Sequence, residues 1–218
     1  MKFFIDTANL DQIREAQDLG ILDGVTTNPS LMAKEGIKGD DKIKQHYIDI
    51  CEIVDGDVSA EVISTDLDSM VSEAKVLADL HPQIVVKIPV IKDGIKAIKH
   101  LAGLNIRTNC TLVFNPGQAM LAAKAGAAYV SPFIGRLDDT ATDGLELVAQ
   151  LVDIFNYYGV ETQIIAASIR HTMHIITCME LGVDVATCPL HTIMGLLNHP
   201  LTDIGVEKFI SDYKKLNG

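Results

Sequence analysis

Short runs of β-branched and apolar residues alternate along the whole chain with longer stretches whose apolar positions recur at helical spacing. The short runs are FFID (3–6), GVTT (24–27), VSAEVI (58–63), IVVKIPV (84–90), TNCTLVF (108–114), YVSPFIG (129–135), TQIIAAS (162–168) and VATCP (185–189). They predict eight strands. Between them, 9–19, 41–54, 67–80, 93–104, 117–125, 143–157 and 171–181 read as amphipathic helices, followed by 191–198 and 203–216 after the last strand.

Strand–helix alternation with no linker or low-complexity segment implies βαβ units and a parallel sheet. Eight units within 218 residues favour closure into an α/β fold of the (β/α)8 TIM-barrel type over an open sheet, with residues 1–218 as a single domain. In the final helix, Val206, Phe209, Ile210 and Tyr213 form an apolar stripe. It either covers its own barrel or docks on a neighbouring subunit.

Along a barrel strand, inward and outward side chains alternate, and sites in this fold gather at the C-terminal strand ends. Polar residues share a face near several of those ends: Thr26 and Asn28, Ser59 and Glu61, Asn109 and Thr111, Ser131, and Ser168 with Arg170. Their out-of-phase neighbours Val62, Cys110, Leu112 and Ile169 suit packing beneath the outer helices. Burying so many polar groups without partners costs about 1–3 kcal/mol each, so a wet pocket for a polyhydroxylated ligand is the better explanation.

Lys87 interrupts the apolar run from Ile84 to Val90 in the middle of a candidate buried strand. Desolvation lowers a lysine pKa from its usual ~10.4, and a neutral amine attacks a ketone carbonyl to form an imine. Arginine cannot substitute in that chemistry, because it does not lose its proton. The alternative for Lys87 is a buried structural ion pair with Glu61 or Asp6, which holds the amine in its charged form.

Composition narrows the partners. A net charge of −11 and a pI near 4.9 argue against nucleic acid or an anionic membrane as the main partner, and a phosphate site must therefore be locally positive. The start MKFFIDTANLDQ lacks the pattern of a signal peptide, and no apolar stretch is long enough to span a bilayer. Cys51, Cys110, Cys178 and Cys188 are scattered without a CxxC pair, which suits reduced thiols and a cytoplasmic location. His171 and His174 lie three apart with no carboxylate or cysteine evident beside them, and read as solvated or capping residues rather than metal ligands.

Six ordered motifs resemble the transaldolase family, in particular its small-subunit branch, which includes the fructose-6-phosphate aldolases. They are Asp6–Asn9, Gly24–Ser30, Val86–Pro89, Asn109–Leu112, Ser131–Arg136 and Ala166–Arg170. The resemblance implies a Schiff base on Lys87, Asp6 as the acid/base group for carbon–carbon cleavage, and Glu61 with Thr111 holding a catalytic water. It implies that Asn28 and Asn109 bind dihydroxyacetone hydroxyls, that Ser131 and Phe133 line the substrate site, and that Arg136, Ser168 and Arg170 bind phosphate. Two of the four arginines fall in that last set.

The resemblance further implies sugar phosphate substrates, no metal or organic cofactor, and a ring-forming homo-oligomer in which the C-terminal helix meets a neighbour. Transfer of dihydroxyacetone between sugar phosphates is the leading expectation. A fructose-6-phosphate aldolase that releases free dihydroxyacetone, in which glutamine and tyrosine stand at positions 61 and 133, is the alternative, and a non-catalytic sugar-phosphate-binding barrel is a third. Asn115, in a turn that departs from the family's serine-containing sequence, receives no role.

Overall fold

The computed structural model describes residues 1–217. Its order is β1 (Lys2–Asp6), α1 (Leu10–Asp18), β2 (Gly24–Thr26), α2 (Pro29–Lys34), α3 (Asp40–Cys51), β3 (Asp57–Glu61), α4 (Leu67–Ala78), β4 (Ile84–Pro89), α5 (Lys92–Ala102), β5 (Thr108–Val113) and α6 (Pro116–Ala125). It continues with β6 (Tyr129–Pro132), α7 (Ile134–Asp138), α8 (Gly144–Tyr158), β7 (Gln163–Ala166), α9 (Thr172–Leu181), β8 (Val185–Cys188), α10 (Leu190–Met194), a 3-10 turn at Gly195–Leu197, and α11 (Pro200–Asn217). All eight strands are parallel and β8 closes on β1, which makes the expected TIM barrel. Among the described residues no helix is long and apolar enough to cross a membrane.

Alternation along the strands sorts the side chains into two cores. Outward residues such as Ile5, Val25, Val58, Val86, Ile88 and Val130 pack beneath the helices, while Phe4, Val85, Tyr129, Ile165 and Val185 fill the lower interior. At the foot, Asp57 accepts hydrogen bonds from Tyr129 Oη and Arg107 Nη1, both at 2.7 Å. An apolar layer thus separates this polar cluster at the foot from the polar residues at the C-terminal strand ends. Gly24 is required by this packing, since a Cβ there would lie 2.6 Å from the Phe4 ring and from the Asp57 carbonyl oxygen.

Helix starts follow local chemistry. Asn28 and Asn115 each cap a helix that has proline in its first turn, accepting from Leu31 N at 3.0 Å and Gln118 N at 2.9 Å. Asn115 thus has a structural role. The run 129–135 is strand only to Pro132, because α7 starts at Ile134.

Two expectations about parity need correction. Leu112 does not pack beneath helices. It has φ 59° and is 41% exposed, at a bulge where Thr111 and Leu112 together face the single residue Ser131. Val113 is thereby turned into the outer core. At β7 the inward phase runs from Ile165 to Ala167 just beyond the strand, not through Ser168; Ser168 has φ 58° and leaves the strand direction. α11 buries none of its residues: Val206, Phe209, Ile210 and Tyr213 are 50%, 74%, 51% and 68% exposed, so the stripe does not cover its own barrel.

Candidate active site

Lys87 sits on β4, whose neighbours place Glu61 on one side and Asn109 on the other at the same level. The lysine is 5% exposed. It is not a lone amine: Nζ lies 2.9 Å from Glu61 Oε2 and 3.4 Å from the carbonyl oxygen of Thr27. The ion-pair arrangement foreseen as the alternative is therefore present. It also puts a carboxylate where it can take the ammonium proton, a transfer that must precede nucleophilic attack.

A cavity of about 140 Å³ opens above Lys87, and Asp6, Asn28, Ser131, Phe133, Arg136 and Ser168 border it. Larger hollows of about 710 and 780 Å³ lie at the foot of β6 and β7 and between α3 and α4. Neither contains Lys87 or Asp6, which meet only at the small cavity among these three. Glu61 borders the hollow between α3 and α4, and so stands between that groove and the lysine.

Burial raises the pKa of Asp6 above the usual carboxylate value, while the Lys87 charge and a hydrogen bond from Thr26 pull it back. Thr26 Oγ1 donates to Asp6 Oδ1 at 2.8 Å and lies 2.6 Å from Thr187 Oγ1. A hydroxyl chain from Thr187 through Thr26 therefore orients one oxygen of the carboxylate. Thr187 also borders the cavity. It shares the inward phase of Val185 at the end of β8, so strand parity marks this residue too.

Asn109 is fully buried and does not border the cavity. Its Nδ2 donates to Ser59 Oγ at 3.1 Å and its Oδ1 accepts from Ser131 Oγ at 2.7 Å, which braces three strands beside Lys87. Thr111, two residues further along the same face, is fully buried and its hydroxyl has no partner among the described residues. Asn28 spends its Oδ1 on the α2 cap.

The two arginines differ. Arg136 borders the cavity from α7. Arg170 does not: its Nη2 pairs with Asp139 Oδ2 at 2.7 Å on the surface, with the two side chains 50% and 54% exposed. Its Nε nevertheless passes over Gly135, where a Cβ would lie only 2.5 Å away, so the glycine lets Arg170 approach the helix that carries Arg136. Phe133 meets Phe114 edge-on at 5.9 Å between ring centres and presents only carbon to the cavity.

The histidine reading needs revision. His174 is buried rather than solvated, and a carboxylate does stand beside it, with Asp138 Oδ2 3.2 Å from its Nε2. His171 occupies the N-cap position of α9 but its side chain makes no capping bond.

The family model described as Transaldolase/Fructose-6-phosphate aldolase matches residues 3–218. Among curated relatives, the "Probable transaldolase" of Parabacteroides distasonis is 68% identical over 218 residues, covering 100% of both chains. Those of Phocaeicola vulgatus and Bacteroides fragilis, with the same name, are 68% identical over 218 residues and 69% over 217, again with 100% of both chains covered. With a match over nearly its whole length and relatives this similar end to end, the chain belongs to the transaldolase/fructose-6-phosphate aldolase family.

Proposed function

We propose that the protein is a transaldolase that moves a dihydroxyacetone unit from a ketose phosphate to an aldose phosphate through an imine on Lys87. Fructose 6-phosphate or sedoheptulose 7-phosphate is the donor, and erythrose 4-phosphate or glyceraldehyde 3-phosphate the acceptor, as in the non-oxidative pentose phosphate pathway. The observation that carries this reading is a buried lysine on the wall of a polar cavity, with one carboxylate 2.9 Å away and a second, Asp6, across the same cavity.

Glu61 takes the ammonium proton, and the neutral Lys87 amine adds to the C2 carbonyl. Loss of water gives a protonated imine. Proton movements in that step pass through a water held by Glu61 and the unpartnered Thr111 hydroxyl. Asp6 then removes the C4 hydroxyl proton, the C3–C4 bond breaks, and its electron pair moves into the imine to leave an enamine. The raised pKa of Asp6 suits it to hold that proton until the departing aldose is replaced.

In the second half, the enamine carbon attacks the acceptor aldehyde and Asp6 returns its proton to the new alkoxide. Hydrolysis of the imine frees the product. Asn28 and Ser131 meet the dihydroxyacetone hydroxyls, and Asn109 serves them by bracing Ser131. Arg136, Ser168 and Arg170 receive the phosphate, for which Arg170 exchanges Asp139 for a bidentate phosphate contact.

Phe133 favours transfer over simple cleavage. It offers no donor to place a water against the enamine, which therefore waits for an aldehyde. The barrel works as one domain in the cytoplasm, where its four free, buried cysteines stay reduced. The exposed stripe of α11 docks on a neighbouring copy in a ring-forming homo-oligomer.

A coupled assay on fructose 6-phosphate, with and without erythrose 4-phosphate, tests the reading. Acceptor-dependent release of glyceraldehyde 3-phosphate is the expected result. Equal release without acceptor, together with free dihydroxyacetone, makes the protein an aldolase, and no turnover in either case leaves only a binding barrel.

A further inference from the structure

The segment that carries Ser168 and Arg170 is stitched to α7, which carries Arg136, by contacts that the reaction at Lys87 does not use. Gly135 N donates to the Ser168 carbonyl oxygen at 3.0 Å, and the Arg170 side chain reaches Asp139. Behind them lies His174, whose side chain is only 6% exposed. Its Nδ1 accepts the backbone N–H of Arg170 at 3.4 Å, and its Nε2 faces Asp138 Oδ2. Asp138 is itself held, since Oδ1 accepts from Gly144 N at 3.0 Å.

These contacts define one protonation state. Nδ1 faces a donor and Nε2 faces a carboxylate, so the neutral imidazole with its proton on Nε2 satisfies both. An imidazolium would set an N–H against the N–H of Arg170. The surrounding charges come from α7, from the turn before α8 and from the segment itself. Asp138 and Asp143 favour the cation, while burial, the His171 ring tilted against it with centroids 3.8 Å apart, and Arg170 oppose it. Burial is the largest influence, and the pKa lies below the ordinary imidazole value.

Arg170 can grip a phosphate on the Arg136 side only by leaving Asp139. Once it does, its guanidinium no longer ties the segment to α7. The bond from its backbone N–H to His174 remains.

We propose that His174 is a positioning residue, which in its neutral form holds the Ser168–Arg170 segment against α7 so that Arg170 and Arg136 converge on one phosphate group, and which releases the segment when protonated. This rests on the reading of the substrates as sugar phosphates bound by those two arginines. Its signature is a change in KM for phosphorylated donors, with kcat and the imine chemistry at Lys87 little altered.

The test is steady-state kinetics of wild type, His174→Gln and His174→Leu from about pH 8 down to about pH 4, extended below the ordinary histidine range because the His174 pKa is lowered, with fructose 6-phosphate and with unphosphorylated fructose. Because the substrate phosphate itself titrates near pH ~6, each variant is compared with wild type at the same pH. Losing a buried acceptor for an N–H is worth roughly a tenfold effect. His174→Leu should therefore raise KM for fructose 6-phosphate by about that factor, with kcat nearly unchanged and kcat/KM for fructose preserved.

Glutamine offers an oxygen to Arg170 N and an N–H to Asp138 without titrating. His174→Gln should keep a near-wild-type KM at neutral pH, and the wild-type to His174→Gln ratio of KM should climb as the pH falls. Unchanged KM in His174→Leu, a loss confined to kcat, equal losses on both sugars, or a flat pH ratio would overturn the proposal. If His174→Leu does not fold, the pH ratio against His174→Gln decides alone. A wild type that turns over fructose 6-phosphate while these signs are missing overturns only the role of His174; a wild type with no such turnover overturns the functional reading as well.

Discussion

Replacing Lys87 with methionine removes the amine, retains most of the apolar stem, and leaves the Glu61 carboxylate without the ammonium that stands 2.9 Å away. Breaking a fully buried pair by deleting one partner costs about 3–5 kcal/mol, whereas an exposed pair is worth about 0–1 kcal/mol. The side chains here are 6% and 16% exposed, nearer the buried limit, and the apolar replacement recovers part of the cost of burying the ammonium. A net loss of about 2 kcal/mol follows. For a chain of this size each kcal/mol moves the melting midpoint by about 2–4 °C, so Lys87→Met should melt roughly 4–8 °C below wild type at pH ~7.

Neutralising the orphan as well, in Lys87→Met with Glu61→Gln, should restore most of that difference. Both forms should be inactive. Thermal melts at one fixed protein concentration check this, since association of copies would make the midpoint concentration-dependent. A Lys87→Met protein as stable as wild type, or a double variant no more stable than the single, would refute the claim that a desolvated ion pair occupies the centre of the site.

Three further outcomes follow from the same geometry. Because burial holds the Asp6 pKa above 3.8, its ionisation opposes folding: the penalty is absent below pH 3.8 and complete above the folded value. Asp6→Asn should therefore melt higher than wild type near neutrality, with the gap closing as the pH falls towards 3.8, and should still form the imine while losing carbon–carbon cleavage; a gap independent of pH contradicts this. Arg136→Ala and Arg170→Ala should each weaken phosphorylated donors relative to unphosphorylated ones by about 1.5–3 kcal/mol, and equal losses on both would remove that arginine from the phosphate site. Phe133→Tyr should increase dihydroxyacetone release relative to transfer, as measured by quantifying the free ketone with and without acceptor; an unchanged release-to-transfer ratio counts against the role of Phe133.

The eight strands were legible as short β-branched, apolar runs set between helical stretches; in β4, where Ile84 to Ile88 are all buried, the run is apolar on both faces except for Lys87. The two helices that the periodicity did not reveal, α2 and α7, have six and five residues. That is too short to complete an amphipathic pattern, although the Asn28-Pro29 pair marks the start of α2 as clearly as Asn115-Pro116 marks α6. Inward polar residues could be found by parity, and Thr187 was available to the same rule. Ser168 was named by that rule as well and does border the cavity, but not for the reason of parity, since its left-handed backbone takes it out of the strand phase.

The partner of Lys87 lay outside what spacing can give. Whether Glu61 or Asp6 meets the amine depends on the stagger between strands, which places Glu61 level with Lys87. Stagger is a property of barrel closure and leaves no local mark in the sequence. The burial of His174 likewise depends on α7, a helix the periodicity did not show.

The central claim is tested most directly by borohydride reduction in the presence of fructose 6-phosphate, followed by peptide mass mapping. The account predicts a stable dihydroxyacetone- or hexose-phosphate-derived adduct on Lys87, dependent on the sugar and absent from Lys87→Met. An adduct on a different lysine, or full turnover without Lys87, would contradict it.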